Sequence, residues 1–305
     1  MNKVFLSIAI ILFPFRIFGQ LFPSSDHYVF NALVINPAYA GCNEALSSTL
    51  SYRNQWVGFE DAPKNYTFSV HAPIHEDKIG LGLMVGNSSV GIFKETNIIA
   101  NYAYRMKLYK GKLALGLGIG VTMIDIAWND LTASDPGDVQ LFNNSISVVL
   151  PNFSMGAYYY AQKFYIGVST PLFLSHELDQ STGKYKIENN FAKYNYFCAS
   201  GYKFSINPDI KIVPSFLIKY HPNHPIQIDY NVLLNLRDKF WIGAGYRSKN
   251  ILVAVLQCQL NQQIRMAYSY DYDFGNIGRY ANSSHEIVLN YTFRYSRKVM
   301  GPKQF

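Results

Sequence analysis

The chain has 305 residues, of which 15% are charged and 16% aromatic, and its formal net charge is +7. No shift in composition marks a domain boundary, and three scattered cysteines argue against a disulfide framework. The lysines and arginines fall mostly at predicted turns and strand ends. This distribution argues against a nucleic-acid partner and favours contact with the anionic surface of a membrane.

The first residues have the three parts of a secretory signal peptide. Lys3 is basic, Val4–Phe15 is an apolar run, and Gly19 is a small residue at a cleavage position. We therefore predict that residues 1–19 are removed, which leaves 25 basic against 20 acidic residues and a net charge of +5. No later apolar run approaches the roughly 18 residues of a spanning helix. Export without a helical anchor leaves the periplasm, the exterior or the outer membrane.

From residue 45 onwards, apolar residues recur at every second position, which is the period of a β-strand. The clearest window is 112–124, where Leu115, Leu117 and Ile119 alternate with Gly116 and Gly118. Fourteen windows show this rhythm: 45–53, 65–72, 79–86, 96–108, 112–124, 152–160, 164–170, 194–204, 209–220, 225–236, 240–247, 252–260, 264–272 and 285–295.

Alternation alone would also fit a soluble β-sandwich, so the length and chemistry of the windows decide the fold class. Spanning strands need roughly 9–11 residues, with apolar side chains towards lipid, aromatic residues near the ends and small or polar residues towards the lumen. In the window 240–247, Phe240, Ile242 and Tyr246 oppose Gly243 and Arg247. An even strand number also suits a closed single-chain barrel. We predict an all-β fold, a transmembrane antiparallel β-barrel of about 14 strands of the outer-membrane type, with residues 20–305 as one domain.

The connections between the windows differ in length in a regular way. Odd-to-even joins include the long segments 125–151 and 171–193, whereas even-to-odd joins include the short turns 109–111 and 261–262. Outer-membrane barrels have long outer loops and short periplasmic turns. This pattern predicts that both termini lie in the periplasm.

Residues 20–44 precede the first window and lack its alternation. They contain two prolines, and we interpret them as an irregular N-terminal arm. Its hydrophobic side chains, such as Tyr28, Phe30 and Leu33, must be buried either in the lumen or against a partner. Together with the low charge of the chain, this favours a plugged or narrow interior.

Three short segments in and after the arm resemble a known family. The run Asn36-Pro37-Ala38-Tyr39-Ala40-Gly41 is followed by Arg53-Asn54-Gln55-Trp56 and then by Ala62-Pro63. This spacing resembles that of the PorP/SprF membrane proteins of type IX secretion and gliding. The resemblance covers less than a fifth of the chain. It singles out a partner-binding or structural motif made of Asn36, Pro37, Tyr39, Gly41, Arg53, Gln55, Trp56 and Pro63.

The resemblance implies an outer-membrane component that supports the secretion or surface attachment of cargo adhesins. It also implies a periplasmic peptidoglycan-binding protein and the type IX secretion or gliding machinery as partners. The alternatives are a diffusion porin or small-solute transporter and, more weakly, an outer-membrane hydrolase. An indole and a guanidinium, as in Trp56 and Arg53, are common at binding hot spots, although Trp56 could equally be an interfacial aromatic residue.

Residues that could carry catalysis or bind metal are sparse. His221 and His224 have a spacing that a metal could use, but they lie beside predicted turns. Ser175-His176-Glu177 is contiguous, whereas the members of a catalytic triad meet through the fold. We therefore predict a protein that is not an enzyme and has no cofactor and no metal site.

Overall fold

The structure is a computed structural model, which describes residues 25–293 except 75–77, 128–144, 173–174, 180–183, 189, 191–192, 223, 249, 276–277, 279–280 and 282. The predicted signal peptide, residues 1–19, lies outside the described residues, as do residues 20–24 of the predicted arm. None of the helices in the described part of the chain is long and apolar enough to cross a bilayer.

Apart from the arm and the loops and turns between strands, the described chain forms strands. The strands are β1 (Leu46–Asn54), β2 (Lys64–Ile74), β3 (Ile79–Val90), β4 (Phe93–Leu108), β5 (Gly111–Ile126), β6 (Ile146–Tyr160), β7 (Phe164–Thr170), β8 (Ser175–Asp179), β9 (Lys184–Glu188), β10 (Tyr196–Tyr202), β11 (Phe204–Ser205), β12 (Ile210–His221), β13 (His224–Leu236), β14 (Phe240–Arg247), β15 (Ile251–Gln259), β16 (Ile264–Asp273) and β17 (Ser284–Phe293). In the arm, Ala32–Val34 and Pro37–Tyr39 form two short 3-10 helices.

Fourteen of the strands that the structure describes close into one antiparallel barrel. Each pairs with its neighbours along the chain, β1 pairs with β17, and β10 pairs with both β7 and β12. The short β11 continues the wall after Lys203 and pairs with β12 as β10 does. Because the barrel closes, each of these fourteen strands has a partner strand on both sides, which lipid requires because it cannot hydrogen-bond to the backbone. The predicted barrel of about fourteen strands is confirmed.

The two faces of the wall have the predicted chemistry. Leu117 and Ile119 are each 62% exposed on the outer face, where lipid would cover them. Ala114 is fully buried inside, and the intervening glycines Gly116 and Gly118 point to the interior as well. The alternation therefore separates a lipid face from a lumen face, as the sequence pattern indicates.

The structure differs most from the predicted windows in three places. The strand β6 begins at Ile146 rather than at Asn152, because Pro151 is accommodated within the ladder opposite Val121 instead of ending it. The strand β3 continues to Val90, since its polar end is paired across the ladder, with Asn87 donating to Thr96 at 2.8 Å. The predicted loop 171–193 contains the hairpin β8–β9, which was not predicted.

The two ends of the barrel are unlike. At one end, here called the turn end, the connections are short: 75–78, 109–110, 161–163, 206–209, 237–239 and 260–263. At the other, the loop end, they include the long segments 127–145 and 171–195. The strand β17 ends at Phe293 on the turn end, since β1 begins opposite it with Leu46.

The lipid face can be tested by one substitution. We expect Leu117→Arg, near the middle of β5, to lower the free energy of unfolding in lipid vesicles by about 2–4 kcal/mol, because a charge would enter hydrocarbon. Gln262→Arg, in an exposed turn, serves as control and should change it by less than about 0.5 kcal/mol. Denaturant titration of both proteins measures the difference. Equal unfolding midpoints would contradict the assignment of the faces.

Candidate functional site

The arm runs through the lumen from one end of the barrel to the other. Asp26 lies at the loop end, where it contacts Arg53 near the last residue of β1. Ala40 lies at the turn end, against Gly80 at the start of β3. Between them the buried arm residues pack with inward-facing residues of the wall into one hydrophobic cluster: Tyr28, Ala32, Leu33, Ile35, Ala38, Tyr39 and Ala40 with Ala103, Ala114, Tyr158, Phe197, Ala199 and Leu217. The arm is therefore the core of this barrel.

Glycines of the wall provide the space in which the arm lies. A Cβ atom on Gly80 would lie 1.9 Å from the carbonyl oxygen of Ala40, and one on Gly116 would lie 2.1 Å from the amide nitrogen of Ala38. No side chain could fit at such distances from backbone, so the wall and the arm approach as closely as glycine allows. The two glycines belong to different strands, β3 and β5.

Asn36 fixes the arm to the next two strands. Its side-chain oxygen accepts from the Ala38 amide at 2.9 Å, which caps the second 3-10 helix. Its amide nitrogen donates to the carbonyls of Ala157 in β6 and Val168 in β7, at 3.1 and 3.2 Å. Pro37 follows at the first helical position, where its missing N–H leaves no donor unpaired. The three side-chain hydrogen bonds of Asn36 and the ring of Pro37 thus serve the local structure.

Tyr39 and Gly41 hold the turn end of the arm. The Tyr39 ring contacts His71 and Tyr158 edge-on, with centroids 5.4 Å away in each case. The Gly41 amide donates to Nδ1 of His71 at 3.1 Å, and its carbonyl accepts from the guanidinium of Arg105. Gly41 has a φ of +75°, which glycine adopts without strain.

A cluster of buried charges holds the loop end of the arm. Each carboxylate oxygen of Asp26 accepts from a different arginine at 2.5 Å, Oδ2 from Arg53 and Oδ1 from Arg247. Ser269 also donates to Asp26 Oδ2, at 2.7 Å, and the Asp26 amide donates to Glu286 at 2.9 Å. Asp26 joins three strands, β1, β14 and β16, by its side chain alone.

The cluster extends along the wall beyond Asp26. Arg53 also pairs with Asp271, and Arg247 pairs with Asp271 and Asp229 at 3.2 Å each. Lys219 lies 3.4 Å from Asp229. Four carboxylates thus face three cations in the interior, since Glu286 lies 3.5 Å from Arg53.

The ionisation of Asp26 follows from these contacts. Burial by itself raises the pKa of this carboxyl, but the positive charges of Arg53 and Arg247 outweigh it and hold the pKa well below its usual range. Asp26 is therefore ionised whenever the arm is docked at neutral pH. A buried carboxylate of this kind is tolerated only while its partners remain in place.

The remaining motif residues lie in the loop that joins β1 and β2. The backbone N–H of Gln55 donates to the backbone carbonyl of Pro63 at 2.9 Å, and both residues are buried. The half-buried Trp56 has a φ of +47°, and its amide donates to Ser284 at 3.2 Å. The predicted site residues thus form two groups. Asn36, Pro37, Tyr39, Gly41 and Arg53 hold the arm, and Gln55, Trp56 and Pro63 shape the loop.

Sequence reasoning missed most of the charge cluster. Asp26, Asp229 and Glu286 were not singled out, although Arg247 and Asp271 stand on the small or charged faces of their windows. For Asp229 and Glu286 the signal was a charged residue at a lumen-facing position of an alternating strand, whereas Asp26 lies in the arm and in no strand. Which charges meet depends on barrel closure, which brings residues more than 200 positions apart into contact.

Together the fold and the filled lumen define a class, the outer-membrane β-barrels whose interior is occupied by a segment of their own chain. The family described as "Type IX secretion system membrane protein PorP/SprF" matches residues 17–291. The chain therefore belongs to the PorP/SprF family.

Solved structures support the fold. The Ralstonia pickettii toluene transporter TbuX is 9% identical with a TM-score of 0.52, covering 87% of this chain and 94% of its own. The CymD monoaromatic hydrocarbon channel is 11% identical with a TM-score of 0.50, covering 92% and 95%. A Pseudomonas aeruginosa FadL homologue has the same identity and TM-score, covering 91% and 96%. At such identities the similarity shows the barrel fold alone. No curated protein matches the sequence.

The fit between arm and wall predicts the effect of a small substitution. Gly116→Ala should displace the arm at a cost of about 1–3 kcal/mol, because the new methyl group would overlap the backbone of Ala38. Gly86→Ala is the matched control, since its Cβ would meet nothing within 4 Å. Chymotrypsin should cleave the arm faster in the first variant and at the wild-type rate in the second. Equal cleavage rates would contradict this packing.

The charge cluster predicts a second difference. Asp26→Asn should weaken arm docking by about 1.5–3 kcal/mol, because it weakens the charge-assisted hydrogen bonds that tie the arm to Arg53 and Arg247, while both arginines keep carboxylate partners on the wall. Glu44→Gln removes another arm carboxylate, but this one is 54% exposed and pairs with Lys112 at the surface, so the expected loss is about 0–1 kcal/mol. Hydrogen–deuterium exchange of residues 26–45 measures both. Similar exchange in the two variants would show that the cluster does not hold the arm.

Proposed function

We propose that this protein is a non-conducting outer-membrane component of the type IX secretion or gliding apparatus. It supports the secretion or surface attachment of cargo adhesins and contacts a periplasmic peptidoglycan-binding protein. Membership of the PorP/SprF family supports the role in secretion. The observation that carries the proposal is the arm, which occupies the lumen from Asp26 to Gly41 and is tied down at both ends.

A filled lumen favours a binding role over free diffusion. A porin needs a continuous polar passage, whereas the middle of this lumen is an apolar cluster built around the arm. The competing proposal is a small-solute transporter, and its support is that the named structural neighbours include a toluene transporter and a hydrocarbon channel. Those similarities concern the fold alone. They do not favour transport over the role that family membership supports.

The orientation is part of the same proposal. Short turns are typical of the periplasmic side of such barrels, so the turn end faces the periplasm and the loop end faces outward. The last described residue, Phe293, lies at the turn end, which supports a periplasmic C-terminus. The prediction of a periplasmic N-terminus has no such support, because Ser25 bonds to Glu286 at the loop end. Cleavage of residues 1–19 stays a prediction.

Trp56 is the residue that tests the partner role most cleanly. Arg53 is 2% exposed and engaged with the arm, so its removal would disturb the barrel itself. Trp56→Ala changes a half-buried loop residue at the outward end, where we expect a cargo contact worth about 2 kcal/mol or more. The expected result is normal barrel assembly, shown by a heat-modifiable gel shift, with reduced surface display of the adhesin cargo.

Tyr109→Ala is the control for this experiment. Tyr109 is an aromatic residue that is 96% exposed in a turn at the opposite end, so its loss should leave both assembly and display unchanged. Full display in the Trp56 variant would remove the support for a cargo contact at this loop. Lost assembly would assign Trp56 a structural role instead.

A further inference from the structure

The lumen mouth at the turn end is lined by basic side chains. Lys107, Lys112, Lys211 and Arg265 alternate with outward-facing residues of their strands, which places them on the lumen side. Lys163 and Lys203 line a cavity at the same mouth. The six basic residues therefore face the opening of the barrel rather than the lipid around it.

Carboxylates at this end neutralise only part of that charge. Glu44 pairs with Lys112, and Asp238 pairs with Lys211 at 2.6 Å. Lys107, Lys163 and Lys203 have no carboxylate within 4.0 Å among the residues that the structure describes.

The arrangement of two of these lysines costs free energy in the isolated barrel. Lys107 and Lys112 stand directly opposite each other in the β4–β5 ladder, on the same face. Like charges in such cross-strand pairs are destabilising. Glu44 offsets part of this repulsion because it pairs with Lys112, whereas Lys107 has no carboxylate within 4.0 Å among the described residues, so an anionic group beside Lys107 would relieve the rest.

Two cavities open at this mouth, on either side of Tyr39 and Asn43 of the arm. The first has a volume of about 270 Å³ and is lined by Phe30, Arg265 and polar side chains of β15 and β17. The second has a volume of about 280 Å³, and its lining includes six aromatic residues as well as Lys163 and Lys203. These volumes lie just below the range of roughly 300–1,000 Å³ for small-molecule pockets, which suits single side chains of a bound polypeptide.

Two features of the first cavity indicate a ligand that carries polar groups. His27 is 1% exposed and lines it, and neither ring nitrogen has a hydrogen-bond partner among the described residues. The Arg265 guanidinium lies 4.6 Å from the centroid of the Trp241 ring, and its Nε donates to Gln259 at 2.7 Å. A guanidinium held in this way is pre-oriented to bind a carboxylate.

We infer that the turn-end mouth is a docking site for an acidic segment of a periplasmic polypeptide. Carboxylates of that segment pair with the basic residues of the rim, and interspersed apolar or aromatic side chains enter the two cavities. A polypeptide fits better than lipid headgroups because the rim charges face the lumen and the cavities lie beside the arm. The inference rests on the proposed function for the periplasmic orientation of this end.

The test uses the full-length barrel in detergent and two fluorescein-labelled octapeptides, one of alternating glutamate and phenylalanine and one with glutamine in place of glutamate. Fluorescence polarisation at physiological ionic strength should show binding of the glutamate peptide alone. Lys107→Gln combined with Arg265→Gln should weaken that binding about ten-fold, because both residues belong to the rim. Folding of each variant is checked by the gel shift.

Lys64→Gln combined with Lys94→Gln is the matched control, since it removes the same charge from exposed positions at the loop end. Binding to the control should change less than about two-fold. Equal losses in both double variants, or equal binding of the two peptides, would overturn the inference. It would also be overturned if phosphatidylglycerol bicelles, and not the peptide, bound with the same dependence on Lys107 and Arg265. None of these outcomes would change the result of the cargo-display experiment with Trp56→Ala, so the docking site and the proposed function are tested separately.

Discussion

The docking of Asp26 between Arg53 and Arg247 is the interaction on which the rest of this structure depends. A buried charge is tolerated only when it is paired, and removing one partner leaves the other exposed to the full cost of desolvation. Both arginines project into the lumen from the wall, at positions where they are almost inaccessible to water. The arm supplies the carboxylate that joins them. The wall has three carboxylates for its three cations, so the fourth carboxylate, Asp26, serves to tie the arm to both arginines.

The apolar and glycine positions of the wall also match the arm. Leu233, Val253 and Val255 are apolar and face inward, which would be costly in a water-filled channel. Here they pack against Val29 and Phe30 of the arm. At the other side of the lumen, glycines remove side-chain volume where the arm backbone approaches the strands. Charge holds one end of the arm and close packing holds the rest, so the arm and the wall form a single folding unit.

The strands could be predicted well from the sequence because alternation directly reports the two faces of a wall. The windows 164–170 and 240–247 agree with the observed strands to the residue. The predicted ends of windows were wrong where strand pairing outweighed a local sequence signal. Pro151, for example, was expected to lie outside the strand, but it lies inside the β5–β6 ladder. The hairpin β8–β9 was missed because a short hairpin in a long, polar loop has almost no periodic signal.

The site was harder to predict than the strands. The motif around Asn36 and Tyr39 could be recognised from the sequence. Its packing against glycines of β3, β5 and β6 could not, because it depends on which strands face the arm. The pairing of Asp26 with Arg247 joins residues 221 positions apart, and no local pattern encodes it. The assignment of the motif as a place for partners also stays a proposal, since the contacts that most of its residues make are internal to the chain.

The central claim is that the arm closes the lumen, and electrical conductance in a planar bilayer tests it most directly. The comparison is between the full-length barrel and a variant that lacks residues 20–40, each shown to be folded by its gel shift. Inward-facing side chains can fill a barrel of eight strands, but a barrel of fourteen strands is wider. The lumen should therefore conduct ions once the arm is removed. We expect no steady conductance from the full-length protein and clear single-channel steps from the shortened one. Steady conductance of equal size in both proteins would contradict the account.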